Sequence, residues 1–155
     1  MASLLAVDLG VRTGFAWYGD DGRLRSYHSQ NFGTAARLRR AIPGLLESAS
    51  DLTRLVIEGG GPLLEAWESE AERRTVQVQR VSADEWRALL LHPREQRSAA
   101  QAKVAAGQLA RRVIGWSGAP RPTSLRHDAA EAILAGLWGV LAARWLRRLP
   151  PELER

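Results

Sequence analysis

The segment LLAVDLG, residues 4–10, decides the fold of this chain. Its apolar residues form a run with the length of a strand that is covered on both faces, and Gly10 ends that run. Asp8 closes the strand in an apolar context, where an unpaired carboxylate carries a desolvation penalty. The segment therefore predicts a central β-strand whose carboxyl end presents a carboxylate in need of a cationic partner.

Three more strands can be placed around the first one. Residues 13–18 and 24–32 form strands joined at GDDG, residues 19–22, where the Asp-Gly step is a strong hairpin signal. A helix begins at Thr34, and an apolar strand follows at residues 53–58. A right-handed crossover places that strand parallel to one already in the sheet, and the first strand is its natural neighbour.

The rest of the chain adds a fifth strand at residues 75–81 and four more helices. These helices are expected at residues 62–74, 82–90, 98–114 and 124–148. The pattern predicts an α/β fold with a central five-stranded mixed sheet, in the strand order 3-2-1-4-5, flanked by helices. We expect a single domain over residues 1–149, followed by a short C-terminal tail at residues 150–155.

Composition restricts the possible functions. The chain has 155 residues, a net charge of +5, no Cys, and Lys103 as its single Lys. The lack of Cys excludes disulfides and zinc–thiolate sites, and no apolar run has the length of a membrane helix. We therefore expect a cytoplasmic protein with no membrane partner. The Arg-rich excess suits a polyanionic partner, although Arg codons from a GC-rich genome explain it equally well.

Four carboxylates stand in apolar contexts: Asp8, Glu58, Asp128 and Glu131. The first two end neighbouring strands, and the last two lie three residues apart on one helix face. If these elements meet, two divalent cations about 3.5–4 Å apart would offset the repulsion and support phosphoryl displacement. Any single acid could instead cap a helix or form an ion pair, and Arg126 could pair with Asp128.

Four stretches of the chain resemble one family. They are AVDLGVRTG at residues 6–14, VIE at 56–58, DAAEA at 128–132, and VSADEWR at 81–87 followed by the Lys103 helix. In this order and spacing they resemble the RuvC-type Holliday junction resolvases of the ribonuclease H-like superfamily, in a compact, phage-type version. The resemblance implies a ribonuclease H-like fold.

The resemblance also implies an activity: an endodeoxyribonuclease that resolves four-way and other branched DNA in recombination and repair. Two magnesium or manganese ions per active site would be held by Asp8, Glu58, Asp128 and Glu131. His127 would be a further ligand or a proton shuttle, unless it only bonds locally. Basic residues that would contact the DNA are Arg12, Arg80, Arg87 and Lys103.

The family acts as a homodimer, and the helix after Glu58 would supply much of the interface. Trp67 would contact the partner there, or else belong to the core. This chain departs from the family at GGGP, residues 59–62, where an aromatic residue often opens the junction. Leu9 also replaces the usual Pro.

Three alternatives remain open at this stage. YqgF-like proteins share the Asp-Leu-Gly start and a terminal helix with Ala-Ala, and they are associated with ribosomal RNA processing. A phosphate-binding domain of the sugar-kinase and actin class also carries Asp-Leu-Gly, but it would need a second domain. The third alternative is a non-catalytic protein that binds junction DNA and uses its acids only for structure.

Overall fold

The computed structural model describes residues 1–154 of the chain. Its strands are β1 (Ser3–Asp8), β2 (Arg12–Gly19), β3 (Leu24–Asn31), β4 (Leu52–Glu58) and β5 (Gln77–Val81). Its α-helices are α1 (Ala35–Glu47), α2 (Pro62–Arg73), α3 (Ala83–Leu90), α4 (Ala99–Ser117) and α5 (His127–Ala142). Short 3₁₀ turns cover Pro93–Gln96 and Pro151–Leu153.

The strands form one mixed sheet in the order β3-β2-β1-β4-β5, so the predicted α/β fold and its strand order are confirmed. β1 pairs antiparallel with β2 and parallel with β4. β3 extends the hairpin on one side, and β5 pairs parallel with β4 on the other. The crossover through α1 therefore returns the chain beside its first strand and parallel to it, as predicted.

The two faces of this sheet have separate cores. Leu4 and Ala6 of β1 pack with α3, α4 and α5, and we call this side the α5 face. Leu5 and Val7 alternate with them and pack with α1 and α2 on the opposite side, the α1–α2 face. All four residues are fully buried, so β1 is covered on both sides as its apolar run predicts.

Glycines let α5 lie close against the sheet. A Cβ atom on Gly14 of β2 would stand 2.0 Å from the carbonyl oxygen of Asp128 at the start of the helix. A Cβ on Gly136 would stand 2.2 Å from the ring of Tyr18, whose hydroxyl donates a hydrogen bond to the carbonyl of Ile133. The N-terminus of α5 is thus held beside the end of β1, which pairs with β2 at Asp8 and Gly14.

The last two helices end at different residues from those predicted. α4 continues to Ser117, where Gly118 adopts a left-handed conformation, instead of ending at residue 114. α5 begins at His127 and already ends at Ala142. Arg144, two residues later, has a φ of 61°, which is not helical. The apolar pattern predicted too long a helix here, because Leu146 packs against the core although it lies after the end of α5.

The C-terminal segment that we expected to be a tail is packed against the domain. Leu153 is fully buried in the core of the α5 face. The Arg112 guanidinium on α4 donates hydrogen bonds to the carbonyls of Glu152 and Glu154, at 2.7 and 3.1 Å. Within residues 1–154, no helix combines the length and apolar character needed to cross a membrane.

Candidate metal centre and nucleic-acid interface

Asp8 and Glu58 are direct neighbours across the β1–β4 pair, because their Cα atoms are partners in the parallel register. Each lies an even number of residues after the core residues Ala6 and Val56, so both carboxylates project to the α5 face. Glu58 is buried and Asp8 is half-buried. Two strand ends therefore place two acids side by side under α5.

Helix α5 adds a third acid to this pair. Its residues 129–137 are all buried, and Glu131 is the one charged side chain in that run. One carboxylate oxygen from each of Asp8, Glu58 and Glu131 lies within 4.8 Å of the others. We call these three residues the acidic cluster.

The acidic cluster is electrostatically unfavourable for three charged carboxylates. Burial, a hydrogen bond with the Glu58 carboxyl and the charges of the neighbouring acids raise the pKa of Asp8 to about 10. Burial and the charge of Glu58 raise the pKa of Glu131 to about 7, against the opposing effect of Arg87. At neutral pH the cluster holds a proton unless a cation takes its place. Three carboxylate oxygens at this spacing suit a hard divalent cation such as Mg²⁺ or Mn²⁺.

Asp128 lies near the acidic cluster but faces other partners. Its Oδ2 accepts a hydrogen bond from Ser29 Oγ of β3 at 2.8 Å, and its Oδ1 accepts one from the Ala129 N–H. The structure shows no ion pair between Asp128 and Arg126 among residues 1–154. Its charge still contributes to the raised pKa of Asp8. A role of Asp128 as a metal ligand stays a prediction.

Helix α3 supplies two side chains that touch the acidic cluster. The indole Nε1 of Trp86 donates to Oε1 of Glu58 at 2.6 Å. The next residue, Arg87, places Nη2 at 3.3 Å from Oε1 of Glu131. The sequence predicted Arg87 as a DNA contact and assigned no role to Trp86, so neither contact with the acids was predicted.

His127 stands one helical turn before Glu131, with Nε2 at 2.8 Å from Oε1 of that acid. Burial and the positive charges of Lys103 and Arg87 lower the pKa of His127, which favours the neutral imidazole. Because the pKa of Glu131 is raised to about 7 while that of His127 is lowered, the proton between Nε2 and Oε1 can lie on either group. The contact with Glu131 is the local bond that was one alternative for His127, and its roles as a proton carrier or a further ligand stay predictions.

The fold matches that of solved structures. T. thermophilus RuvC, solved in complex with a Holliday junction substrate, aligns with a TM-score of 0.65 at 15% identity, over 92% of this chain and 96% of that one. The yeast mitochondrial Holliday junction resolvase Ydc2 aligns with a TM-score of 0.55 at 12% identity, over 94% of this chain and 82% of that one. This chain has the RuvC fold. No protein-family model matches the sequence, and no curated protein matches it.

On this RuvC fold, an open cleft of about 490 Å³ reaches the acidic cluster through His127, whose Nε2 contacts Glu131. It is lined by Arg12, Arg126, His127 and Asp128. The cleft brings the predicted DNA contact Arg12 next to the N-terminus of α5 and adds Arg126, for which the sequence had predicted only a possible ion pair. A cleft with two guanidinium groups is suited to phosphate contacts.

The other predicted DNA contacts are placed differently from one another. Lys103 is exposed and close enough to lower the pKa of both His127 and Glu131. Arg87 is half-buried and engaged with Glu131, so it faces the acids rather than solvent. Arg80 is exposed and precedes Val81 of the α5-face core, so strand alternation places it toward the α1–α2 face, away from the acidic cluster.

Trp67 is fully buried on the α1–α2 face, with its ring centroid 6.1 Å from that of Phe15. The expectation that Trp67 contacts a partner subunit is therefore wrong, and its alternative role in the core holds. The apolar pattern of the sequence alone could not separate the two cases, since interface and core positions of a helix are both apolar.

Proposed function

We propose that this protein is a divalent-metal-dependent endodeoxyribonuclease that cuts branched DNA, with the four-way junction as its main substrate. The observation that carries the proposal is the acidic cluster, with three carboxylates within 4.8 Å on one side of a RuvC-type sheet. The cleft beside it, lined by Arg12 and Arg126, adds positive charge where a phosphate backbone would approach. The solved RuvC complex contains a Holliday junction, which supports this choice of substrate.

The residues present fit a metal-dependent hydrolysis. Asp8, Glu58 and Glu131 would hold the metal, with Asp128 as a proposed fourth ligand. Two bound magnesium or manganese ions would supply activation of the attacking water and stabilisation of the charge that develops on the phosphate and the leaving 3′-oxygen.

The chain's own groups then position the substrate and move protons. Hydrolysis forms a bond from the water oxygen to phosphorus and breaks the bond from phosphorus to the 3′-oxygen. With His127 Nε2 holding its hydrogen toward Glu131 at 2.8 Å, the other ring nitrogen, Nδ1, would accept the proton of the water, and solvent would supply a proton to the leaving 3′-oxygen. Arg12 and Lys103 would hold the phosphates that flank the cut.

The proposed activity is tested with purified protein on labelled four-way, Y-shaped and linear duplex DNA, in Mg²⁺, in Mn²⁺ and in EDTA. We expect cleavage of the four-way junction in either metal, weaker cleavage of the Y-shape, and none in EDTA. An Asp8→Asn variant should bind the junction without cutting it. No cleavage with either metal, or full activity of Asp8→Asn, would reject the proposal.

A structured RNA in the same assay separates the resolvase from a YqgF-like nuclease. Preferential cleavage of RNA would keep the chemistry and replace the substrate. Junction binding that persists in EDTA with no cutting in any metal would leave only a binding protein. The acids oppose that last outcome, because an uncompensated acidic cluster beside the cleft repels the DNA backbone.

We also propose that the protein is a homodimer, so that two acidic clusters can cut two strands of one junction. With Trp67 in the core, the exposed side of α2 is the candidate interface. Sedimentation equilibrium with and without junction DNA measures this directly, and a monomer bound to DNA under all conditions would reject it.

A further inference from the structure

Trp86 makes a polar contact of an unusual kind for a fully buried indole. Its side chain has no exposed surface, and its N–H donates to Glu58 Oε1 at 2.6 Å. Glu58 is itself buried and belongs to the acidic cluster. The bond therefore joins the core of the α5 face directly to a carboxylate that we propose as a metal ligand.

The donor is held in place by several contacts. Ser82 and Glu85 form a reciprocal capping box at the start of α3, with Ser82 N to Glu85 Oε1 and Glu85 N to Ser82 Oγ both at 3.1 Å. The cap fixes the start of the helix directly after β5, whose last residue Val81 pairs with Glu58. Trp86 packs in the α5-face core, and the guanidinium of Arg87 lies 5.2 Å from its ring centroid.

The chemistry of an indole donor suits this position. Arg87 already places one positive charge at Glu131, and a Lys or Arg at hydrogen-bond distance from Glu58 would add a second where a divalent cation must approach. The indole N–H is neutral, so it orients the carboxylate and satisfies one oxygen without that repulsion. Since one oxygen is committed to Trp86, the rotation of the Glu58 carboxylate is restricted, and its other oxygen has a defined direction.

We propose that Trp86 is a positioning residue, whose indole N–H holds the Glu58 carboxylate in the orientation that makes the acidic cluster a divalent-cation site. The inference rests on the proposed function in one respect, that the acidic cluster takes a metal. It adds that metal affinity depends on a neutral side chain that touches neither metal nor DNA.

The chain offers a matched control. Trp67 is also fully buried, on the opposite face of the sheet, and its Nε1 has no hydrogen-bond partner among residues 1–154. Trp86→Phe and Trp67→Phe therefore remove the same atoms from two buried indoles, and only the first removes a bond to Glu58. Both variants keep an aromatic ring in the core.

The first measurement is Mn²⁺ affinity of the full chain by isothermal titration. We expect Trp86→Phe to weaken Mn²⁺ binding by about tenfold to a hundredfold, because the variant loses the charge-assisted hydrogen bond that orients the Glu58 carboxylate. Trp67→Phe should bind within about twofold of the unmodified protein. Equal affinity of Trp86→Phe and the unmodified protein would overturn the proposal.

The second measurement keeps the proposal testable if Trp86→Phe does not fold. In the unmodified protein labelled with ¹⁵N-tryptophan, the Trp86 indole N–H resonance is assigned through its contacts with neighbouring core residues. We expect it to shift on titration with Mg²⁺ with a saturating curve, while the Trp67 resonance stays in place. A Trp86 resonance that does not move while Mg²⁺ binds to the acidic cluster would reject the role.

The two failures are distinguishable. If the unmodified protein binds no Mn²⁺ and cuts no junction, the metal site fails and Trp86 loses its role with it. If the unmodified protein binds Mn²⁺ and cuts, and Trp86→Phe does both equally well, only the positioning role fails.

Discussion

The two faces of the sheet use similar residues to different ends, and the two fully buried tryptophans show this most directly. On the α1–α2 face, Trp67 packs against Phe15 and its indole nitrogen bonds to nothing among residues 1–154. On the α5 face, Trp86 donates to Glu58 at 2.6 Å. Equal burial thus does not mean equal roles, because the difference lies in whether a polar partner shares the buried space.

The same contrast extends to the acids. Within residues 1–154, the buried residues of the α1–α2 face include no charged side chain, whereas the α5 face contains Glu58 and Glu131. One face therefore provides an apolar support for β1 and β4, and the other face holds the carboxylates at the ends of these strands. A change on the α5 side should therefore affect the proposed activity more than a matched change elsewhere.

The largest effect is expected for Asp8→Asn. Removing this carboxylate takes away a proposed metal ligand with little change of shape, so junction cleavage should fall by roughly a thousandfold or more. The measurement is the single-turnover cleavage rate in Mg²⁺. Asp51→Asn is the control, since Asp51 lies at the opposite end of the same strands and bonds to Ser3 and Arg25. If Asp51→Asn lost as much cleavage activity as Asp8→Asn, the loss could not be assigned to a metal site at the acidic cluster.

Gly14→Ala tests whether the close approach of α5 to β2 builds the site. A methyl group would meet the Asp128 carbonyl at 2.0 Å, so the start of α5 must move away from Asp8. We expect a loss of about 1–3 kcal/mol in the free energy of unfolding, and about a hundredfold slower cleavage. The measurements are urea unfolding and cleavage rate.

Gly107→Ala is the control for this change. Gly107 lies within α4, and a Cβ there meets nothing within 4 Å. The free energy of unfolding of the variant should therefore rise by up to about 1 kcal/mol, and its activity should not change. A Gly14→Ala protein with unchanged activity would show that the site tolerates displacement of α5.

The stability of the metal-free protein should fall as the pH rises. The pKa of Asp8 is raised from 3.8 to about 10, and that of Glu131 from 4.5 to about 7, so between these values the folded chain holds more protons than the unfolded chain. This contribution to the free energy of unfolding is fully present below pH 3.8. As the pH rises, the free energy of unfolding falls by up to about 1.4 kcal/mol per pH unit for each proton, which is about tenfold in the unfolding constant.

Urea unfolding in EDTA at pH 5, 6.5 and 8 measures this slope. Asp8→Asn should flatten it, and Mg²⁺ should stabilise the unmodified protein more at pH 8 than at pH 5, because the metal binds the deprotonated acids. A stability that rises with pH in EDTA, or a slope that Asp8→Asn leaves intact, would contradict the buried acidic cluster.

The smallest effect is expected for the basic residues of the cleft. Arg12→Ala and Arg126→Ala, each made in the Asp8→Asn background so that DNA is bound and not cut, should weaken junction binding several-fold. Each should reduce the slope of log affinity against log salt by about one. Arg40→Ala, on the exposed side of α1, is the control and should change neither quantity. An unchanged salt slope for both cleft variants would place the DNA elsewhere.

Much of the fold could be predicted because its signals are local. The apolar run before Asp8 and the Asp-Gly turn at residues 20–22 fixed three strands, and the handedness of the crossover fixed the fourth. The ends of α5 were missed because the apolar pattern continues past Ala142 in a chain that no longer forms a helix. Helix ends depend on where the chain can turn, and Arg144 turns with a positive φ that no pattern foretells.

The candidate site was predictable only in part, for a related reason. The pairing of Asp8 with Glu58 follows from strand register, which alternation and topology set. The bonds from Trp86 to Glu58 and from Ser29 to Asp128 join residues 28 and 99 positions apart. Nothing near either residue in the sequence marks its partner.

The sequence by itself determined the α/β architecture, the order of the strands and the identity of the acids, because these depend on apolar periodicity, turn residues and chain connectivity. Only the tertiary structure decided which acids come within 4.8 Å, that Asp128 bonds to Ser29 instead, and that Arg80 faces away while Arg126 lines the cleft. The physical reason is that a hydrogen bond or a pKa shift depends on distances of a few ångströms between distant residues. Such distances arise when glycines such as Gly14 let α5 settle against the sheet.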